Sequence, residues 1–239
     1  AGQTVFKGTE VAAGMEALAM AGLNVNEVLV TMPGLLSTAT AGNTDLQATA
    51  DIVTNVMSGF GLDATETQRI ADVLAATFTS SNTTMSSLGE TLKYVAPLAS
   101  TAGLDLESMA AASGILGNVG ISGSQAGTSL RGMIDGLIAP TSTAQGHLDA
   151  LDITLTDMGG NLLPLPELVG ELQSGMDGLD PSEQVRVLKD LVGVEAMGGL
   201  QALMAAGPEE IKTYSDELKN SLGKSAEIAG KSADNLFGS

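Results

Sequence analysis

Apolar residues recur at helical spacing along most of the chain. The clearest face lies between residues 46 and 57 and carries Leu46, Ala50, Val53 and Met57. Similar spacing occurs in segments 11–18, 88–98 and 130–138. Steps of three and four residues place apolar side chains on one side of an α-helix. The pattern predicts an all-α protein, folded as a compact bundle or a short stack of helical hairpins.

Three similar tripeptides separate consecutive predicted helices. They are Gly22-Leu23-Asn24, Gly61-Leu62-Asp63 and Gly103-Leu104-Asp105. A glycine in the left-handed conformation ends a helix, and the leucine after it packs back on the last turn. The Asn or Asp side chain then caps the next helix by accepting a hydrogen bond from a free N–H group. These nine residues are predicted to be structural hinges, and their recurrence about every 40 residues is typical of helical-pair repeats.

One segment departs from helical periodicity. Residues 153–156 alternate apolar and polar side chains, residues 157–161 have turn composition, and residues 162–165 can return as a second strand. Alternation with a period of two is typical of a β-strand. We therefore expect one small β-hairpin near 153–165, packed against the helices because a lone hairpin is only marginally stable.

The character of the chain changes after Pro208. The apolar positions of this tail are Ile211, Tyr214, Leu218, Leu222, Ala226, Ala229, Ala233 and Leu236. Their steps of three and four form a heptad pattern with one stutter. The pattern predicts a C-terminal long helix whose seam can pack on another helix. We accordingly divide the chain into a compact helical module, 1–207, and an amphipathic helix, 208–239, which could begin an extended coiled-coil region.

Composition and charge exclude several functions. The net charge is −18, and residues 208–239 hold six acidic and four basic residues, a charge of −2, which leaves −16 on residues 1–207. Specific nucleic-acid binding is not expected, because it depends on Lys and Arg neutralising phosphates. The chain has no cysteine, so disulfides and thiolate metal sites are excluded. It begins with Ala1, and we expect it to be part of a longer protein.

Two sequence patterns resemble phosphate-binding loops but lack essential features. Gly223-Lys224-Ser225 and Gly230-Lys231-Ser232 resemble the end of such a loop, yet Leu218 and Ser225 stand where its first glycine is required. The glycine-rich segment 117–127 lacks the strand–loop–helix context of a dinucleotide site. We interpret the first pair as positions of the heptad and the segment as a helix hinge, with no cofactor.

The chain offers few residues for catalysis or metal binding. His147 is the only histidine, so a zinc site or a histidine-based triad has no partners. The acidic pairs Asp149/Asp152 and Glu209/Glu210 are interpreted as solvated charges or caps. No catalytic, cofactor-binding or metal-binding residue is predicted, and the chain is not expected to be an enzyme.

Residues 108–130 contain no charged side chain. The segment also holds Ser, Thr, Asn and Gln residues, so it is not an apolar run long enough to span a membrane. Buried helix packing is the favoured interpretation, and conditional membrane insertion is the alternative.

Several motifs together resemble the core region of phage tail tape-measure proteins. They keep the order seen in that family over roughly residues 8–205 of this sequence. They are residues 72–76 (DVLAA), 81–83 (SNT), 88–97 (LGETLKYVAP), 123–131 (GSQAGTSLR), 140–141 (PT), 161–166 (NLLPLP) and 193–196 (GVEA).

The resemblance implies a structural virion protein that sets tail length, templates assembly of the tail tube and leaves during DNA ejection. It implies residence in the lumen of the tail tube, after assembly in the host cytoplasm, in a phage, a prophage or a tail-like particle. It implies tail-tube and tail-tip or baseplate proteins as partners, self-association into a homo-oligomer, and membrane contact only at infection. No catalytic residue is implied for this region.

Two other functions are compatible with the residues alone. The hinges and the acidic surface would also suit a non-catalytic helical-repeat scaffold that binds other proteins. The uncharged segment 108–130 would suit a membrane-perturbing segment that acts at host entry.

Overall fold

The computed structural model describes the backbone of residues 6–237 and the side chains of residues 6–232. Within this part the chain forms twelve α-helices and one short 3₁₀ turn, Ala64–Glu66. The helices are α1 Gly8–Met20, α2 Val25–Gly42, α3 Leu46–Phe60, α4 Thr67–Ser80, α5 Met85–Thr101, α6 Leu106–Asn118, α7 Gly123–Ile138, α8 Ser142–Ala150, α9 Leu165–Gly175, α10 Pro181–Ala206, α11 Pro208–Lys219 and α12 Lys224–Phe237. The predicted all-α class is confirmed.

Short polar residues determine where many of the helices begin. The side chains of Asp45, Thr84, Asp105 and Thr141 each accept a hydrogen bond from the backbone N–H three residues later. Asp180 caps α10, which also has proline at its first position. Each cap satisfies donors that the helix itself leaves free, which typically stabilises a helix by about 1 kcal/mol.

The helices stack in two layers. In one layer α1 contacts α3, α3 contacts α5, α5 contacts α7, and α7 contacts α10. In the other layer α2 contacts α4 and α4 contacts α6. The first three pairs of helices, α1/α2, α3/α4 and α5/α6, therefore each bridge the two layers as a helical hairpin.

Small side chains bring the helices of the first layer close together. Ala196 and Val192 of α10 lie against Gly132 of α7. Tyr94 of α5 lies against Gly127, which is also on α7. The buried core is made of Leu, Ile, Val, Met and Ala, with Phe60 as its one aromatic residue among the described side chains. Close helix approach therefore replaces bulky side chains as the means of filling the interior.

The predicted β-hairpin is wrong. Between residues 153 and 165 the structure contains one isolated antiparallel bridge, Thr156 to Leu162, and no strand. The turn forms, because Asp157 accepts hydrogen bonds from the backbone N–H groups of Gly159 and Asn161. Residues 162–165 do not continue as a second strand. The N–H of Leu162 donates to the carbonyl oxygen of Ala102 at 3.1 Å, and helix α9 starts at Leu165. The alternating residues Ile153 and Leu155 are buried against helices.

The predicted C-terminal long helix is also wrong. The tail forms two helices, since α11 ends at Lys219 and α12 begins at Lys224. Between them Gly223 adopts a φ of 83°, a conformation that interrupts a right-handed helix. Helix α11 packs on α6 and α9, and α12 packs on α2 and α4. The tail is thus folded back on the rest of the chain, and the domain division at residue 207 stays a prediction.

Candidate interaction surfaces

The three predicted hinges lie at turns that connect the two layers. Gly22, Gly61 and Gly103 have φ angles of 96°, 66° and 82°. The N–H groups of Leu23, Leu62 and Leu104 donate to the carbonyl oxygens of Leu18, Met57 and Ala99 at 3.2, 2.8 and 2.9 Å. This six-to-one bond is the helix ending in which glycine is preferred because it has no Cβ.

The capping residues of the hinges differ from one another. Asn24 accepts from the N–H groups of Asn26 and Glu27, while the Glu27 carboxylate accepts from the N–H of Asn24. Asp105 caps α6 through Ser108 and also pairs with Lys219 of α11 at 3.0 Å. Asp63 makes no side-chain cap. The third hinge therefore also helps to hold the tail in place.

The residues of the predicted helix seam do not share one environment. Ile211 and Leu218 are buried, Tyr214 and Ala229 are half-buried, and Leu222 is 84% exposed. The Tyr214 hydroxyl lies 2.8 Å from the Ser80 hydroxyl of α4. Leu236 lies outside the described side chains. The break before α12 therefore separates a buried half of the seam from a partly exposed half.

A buried carboxylate fixes the start of α12. Asp72 of α4 is 1% exposed and accepts hydrogen bonds from Gly223 N, Ser225 N and Ser225 Oγ at 2.8, 2.9 and 2.6 Å. Gln68 donates to both Asp72 and Ser225. The N-terminus of α12, where the Gly223-Lys224-Ser225 sequence resembles a phosphate loop, is thus occupied by the protein's own carboxylate. A phosphate would have to displace it.

A large groove lies between α5, α7 and α10. Its volume is about 880 Å³, and helix α10 breaks beside it at Gly193, where φ is 76°. Apolar atoms of Tyr94 and Val194 are exposed beside it. Lys93 and Arg131 line it, and neither forms an ion pair with a described residue. The groove thus offers apolar contact together with two cations and the two carboxylates Asp135 and Glu195.

The remaining candidate residues from the sequence either connect helices or lie exposed at the surface. His147, near the end of α8, lies 3.0 Å from Asp190 of α10, and it connects these two helices. Asp149, Asp152, Glu209 and Glu210 are exposed. Across the described part of the chain no group of three or more His, Cys, Asp or Glu residues is arranged to hold a metal ion.

The glycine-rich and uncharged segments lie within the helical stack. Residues 117–127 form the end of α6, a turn with positive φ at Gly120 and Gly123, and the start of α7. Most of α6 is buried. None of the helices described is both long enough and apolar enough to cross a bilayer.

The residues that sequence reasoning missed are the buried charges of α4 and α6. Asp72 binds the start of α12, and Arg69 pairs with the buried Glu107 at 2.7 Å. Both partners are distant in sequence, so neither periodicity nor a local motif signals them.

Comparison with known proteins identifies the family. The profile of the family described as phage-related minor tail protein matches residues 1–193. The tape measure protein of Pneumococcus phage Dp-1 is 38% identical over 98% of this chain and 20% of that protein. The probable tape measure protein of Escherichia phage P2 is 31% identical over 92% of this chain and 28% of that protein.

The chain therefore spans between a fifth and a third of the length of these relatives. No solved structure matches it. Since the family profile matches residues 1–193 of the 239-residue sequence, the chain belongs to the phage-related minor tail protein family.

Proposed function

We propose that this chain is a structural region of a phage tail tape measure protein. The observation that carries the proposal is the 38% identity to a tape measure protein over 98% of the chain. The helical stack supports it, since its groove and its exposed apolar residues are suited to contact with other proteins. The proposed role is non-catalytic: the region acts by binding other tail components during assembly.

Within such a protein, this region is proposed to be a compact anchor rather than the ruler. An extended helix gains 1.5 Å for each residue and can therefore set a length. Here the helices from α1 to α10 fold back on one another at short intervals, so an added pair of helices would extend the stack by only about 10 Å, much less than the same residues would add in one extended helix. The ruler would then lie in the remainder of the longer protein, and the tail after Pro208 would lead toward it.

We place the region in the virion, inside the lumen of the tail tube, after assembly in the host cytoplasm. Tail-tube subunits and tail-tip or baseplate proteins are the proposed partners, and several copies would associate with one another. The net charge of −18 supports a location through which DNA passes, because a strongly acidic surface repels phosphates. Release of the protein would then accompany DNA ejection.

In-frame deletion in the phage that encodes the chain tests this division of roles. Removing α3 and α4, residues 46–80, should abort tail assembly, because α5 and α2 would lose their neighbours. Removing the same number of residues from a predicted helical segment outside this chain is the matched control. It should shorten tails by about 1.5 Å for each residue. Electron microscopy of lysates measures both outcomes, and proportional shortening after deletion of 46–80 would contradict the anchor role.

A further inference from the structure

One buried polar cluster fixes the start of helix α12 on the stack. Asp72 receives the three donors at the start of α12, and Ser225 is fully buried in the same cluster. Asp72 thus acts as an N-cap supplied by a different helix, since a carboxylate at a helix N-terminus satisfies free N–H groups and interacts favourably with the helix dipole. It fixes both where α12 begins and where α12 lies.

The sequence across the break retains the pattern of a single helix. The heptad steps run from Ile211 through Leu218 and Leu222 to Ala229 without a change of face. In the structure Leu222 is 84% exposed and Gly223 has a φ of 83°. In an uninterrupted helix Leu222 would lie one turn beyond Leu218 on the same side. The apolar periodicity and the observed break thus favour different backbone conformations.

We propose that residues 208–237 exchange between the observed pair of helices and one continuous helix, with Asp72 as the positioning residue that holds the folded-back form. In the folded-back form α12 covers α2 and α4. In the continuous form the N–H groups of Gly223 and Ser225 bond within the helix, and α12 leaves that surface. The switch follows from contacts within this chain and is independent of its place in a phage tail.

A helical partner that packs on the seam would favour the continuous form. Leu222 contributes nothing to the core of the folded-back form, but it would extend the apolar seam of a straight helix toward Ala229. A ligand shifts such an equilibrium only through its preference for one form. An amphipathic helix that covers Leu222 and Ala229 has that preference, because these side chains align with the buried Leu218 only when the helix is straight.

Distances between paired spin labels on the 239-residue chain test the proposal. The chain has no cysteine, so two introduced cysteines are labelled without background. One pair, Val30→Cys with Ala226→Cys, reports whether α12 lies on α2. A second pair, Thr213→Cys with Ala226→Cys, reports the shape of the tail. Thirteen residues of one helix span about 20 Å.

Substitution Gly223→Ala shifts the balance without altering the core, because the position faces open space. We expect the ratio of continuous to folded-back form to rise about tenfold, since alanine is disfavoured at positive φ and favoured inside a helix. Gly22→Ala is the matched control, because Gly22 also has positive φ and faces open space. It should leave both label distances unchanged.

Substitution Ser225→Ala removes the hydroxyl that donates to Asp72. Its matched control is Ser182→Ala, which removes the equivalent hydroxyl that donates to the local cap Asp180 at 2.7 Å. Ser225→Ala should lengthen the distance from α2 to α12, and Ser182→Ala should not.

The proposal is supported if Gly223→Ala lengthens the Val30–Ala226 distance and gives a narrow Thr213–Ala226 distance near 20 Å. Two results overturn it. In the first, α12 stays on α2 in both Gly223→Ala and Ser225→Ala. In the second, α12 leaves α2 but the Thr213–Ala226 distribution is broad, which indicates a disordered tail instead of a continuous helix.

Discussion

Arg69 holds Glu107 with two parallel hydrogen bonds. Nε donates to Oε1 at 2.7 Å and Nη2 donates to Oε2 at 2.8 Å, connecting α4 to α6. The Glu107 side chain is 2% exposed, whereas Arg69 reaches the surface. The hydrogen bonding of Arg69 to Glu107 is the main reason that the pKa of Arg69 is raised. The guanidinium is therefore charged at any pH at which the chain folds.

Replacing Arg69 by methionine should strongly destabilise the fold. The substitution leaves the Glu107 carboxylate buried without its partner, and losing one member of a buried pair typically costs about 3 kcal/mol. Urea denaturation followed by circular dichroism measures the free energy of unfolding.

Arg186→Met is the matched control for that experiment. Arg186 pairs with Glu183 at 3.9 Å on the surface, and exposed pairs contribute about 0–1 kcal/mol. Equal losses in Arg69→Met and Arg186→Met would mean that burial of Glu107 has no energetic consequence. The double variant Arg69→Met/Glu107→Gln should recover part of the loss, because no buried charge then remains.

Substitution Gly136→Ala should disrupt the packing of α7 on α10. A Cβ at this position would collide with the carbonyl oxygen of Leu191, and that backbone atom cannot move aside without displacing α10. Overpacking of this kind costs about 1–3 kcal/mol. Thermal denaturation should show a lowered Tm.

Gly146→Ala is the corresponding control within a helix. Gly146 of α8 faces open space, so alanine meets no neighbour and improves helix propensity. We expect a gain of roughly 0.5–1 kcal/mol. An unchanged Tm for Gly136→Ala would contradict the close approach of α7 and α10. A lowered Tm for Gly146→Ala would mean that alanine is unfavourable in a helix of this protein even where it meets no neighbour.

Asp105 should make stability depend on pH in the acidic range. Burial alone would raise the pKa of Asp105, but hydrogen bonds from Ser108 and Lys219 outweigh it, so the pKa is lowered. A carboxyl group that is more acidic when folded stabilises the fold above its unfolded pKa, near 4. That contribution is lost as the pH falls through the folded pKa.

Asp105→Asn should therefore flatten the decrease in unfolding free energy below about pH 4. Lys219→Met should reduce the same slope in part, because it removes one of the two partners. Denaturation at a series of pH values from neutral to acidic measures the slope in all three proteins. An Asp105→Asn variant with the slope of the parent would show that another group is responsible.

Ser215 offers a stabilising substitution. The residue is 3% exposed, and its hydroxyl is buried with no hydrogen-bond partner among the described residues. Removing a buried polar atom that lacks a partner removes its desolvation cost, so Ser215→Ala should stabilise by about 1 kcal/mol. Chemical denaturation measures the change.

Ser129→Ala tests the opposite case. The Ser129 hydroxyl is equally buried, but it donates to the carbonyl oxygen of Ala196 in α10 at 3.2 Å. Its loss should destabilise by about 1 kcal/mol. If both variants changed the free energy of unfolding in the same direction, the presence of a hydrogen bond would not decide whether a buried serine stabilises the fold.

The helices could be predicted from sequence because their signals are local. The apolar steps of α3 and the Gly61-Leu62 ending lie within one short segment, and the cap of α2 involves only residues 24–27. Each such feature depends on neighbouring residues, so a single sequence contains all of the information required.

The break before α12 could not be predicted, because its cause lies about 150 residues away at Asp72. Periodicity around Gly223 favours one helix, and tertiary contacts overrule it. The prediction of a β-hairpin failed for a related reason. Ile153 and Leu155 alternate with polar residues because they pack on helices, and an alternating pattern does not show whether the buried side chains face a strand or a helix. The Arg69–Glu107 pair likewise depends on the stacking of α4 on α6.

The arrangement of α5, α7 and α10 also has a mechanical consequence. Where backbones lie almost in contact, as at Gly127 and Gly136, two helices cannot slide past each other without first separating. A pulling force along the chain would therefore meet its greatest resistance in this three-helix unit. The α11–α12 connection, where Gly223 faces open space and Asp72 holds the start of α12, would yield at a lower load.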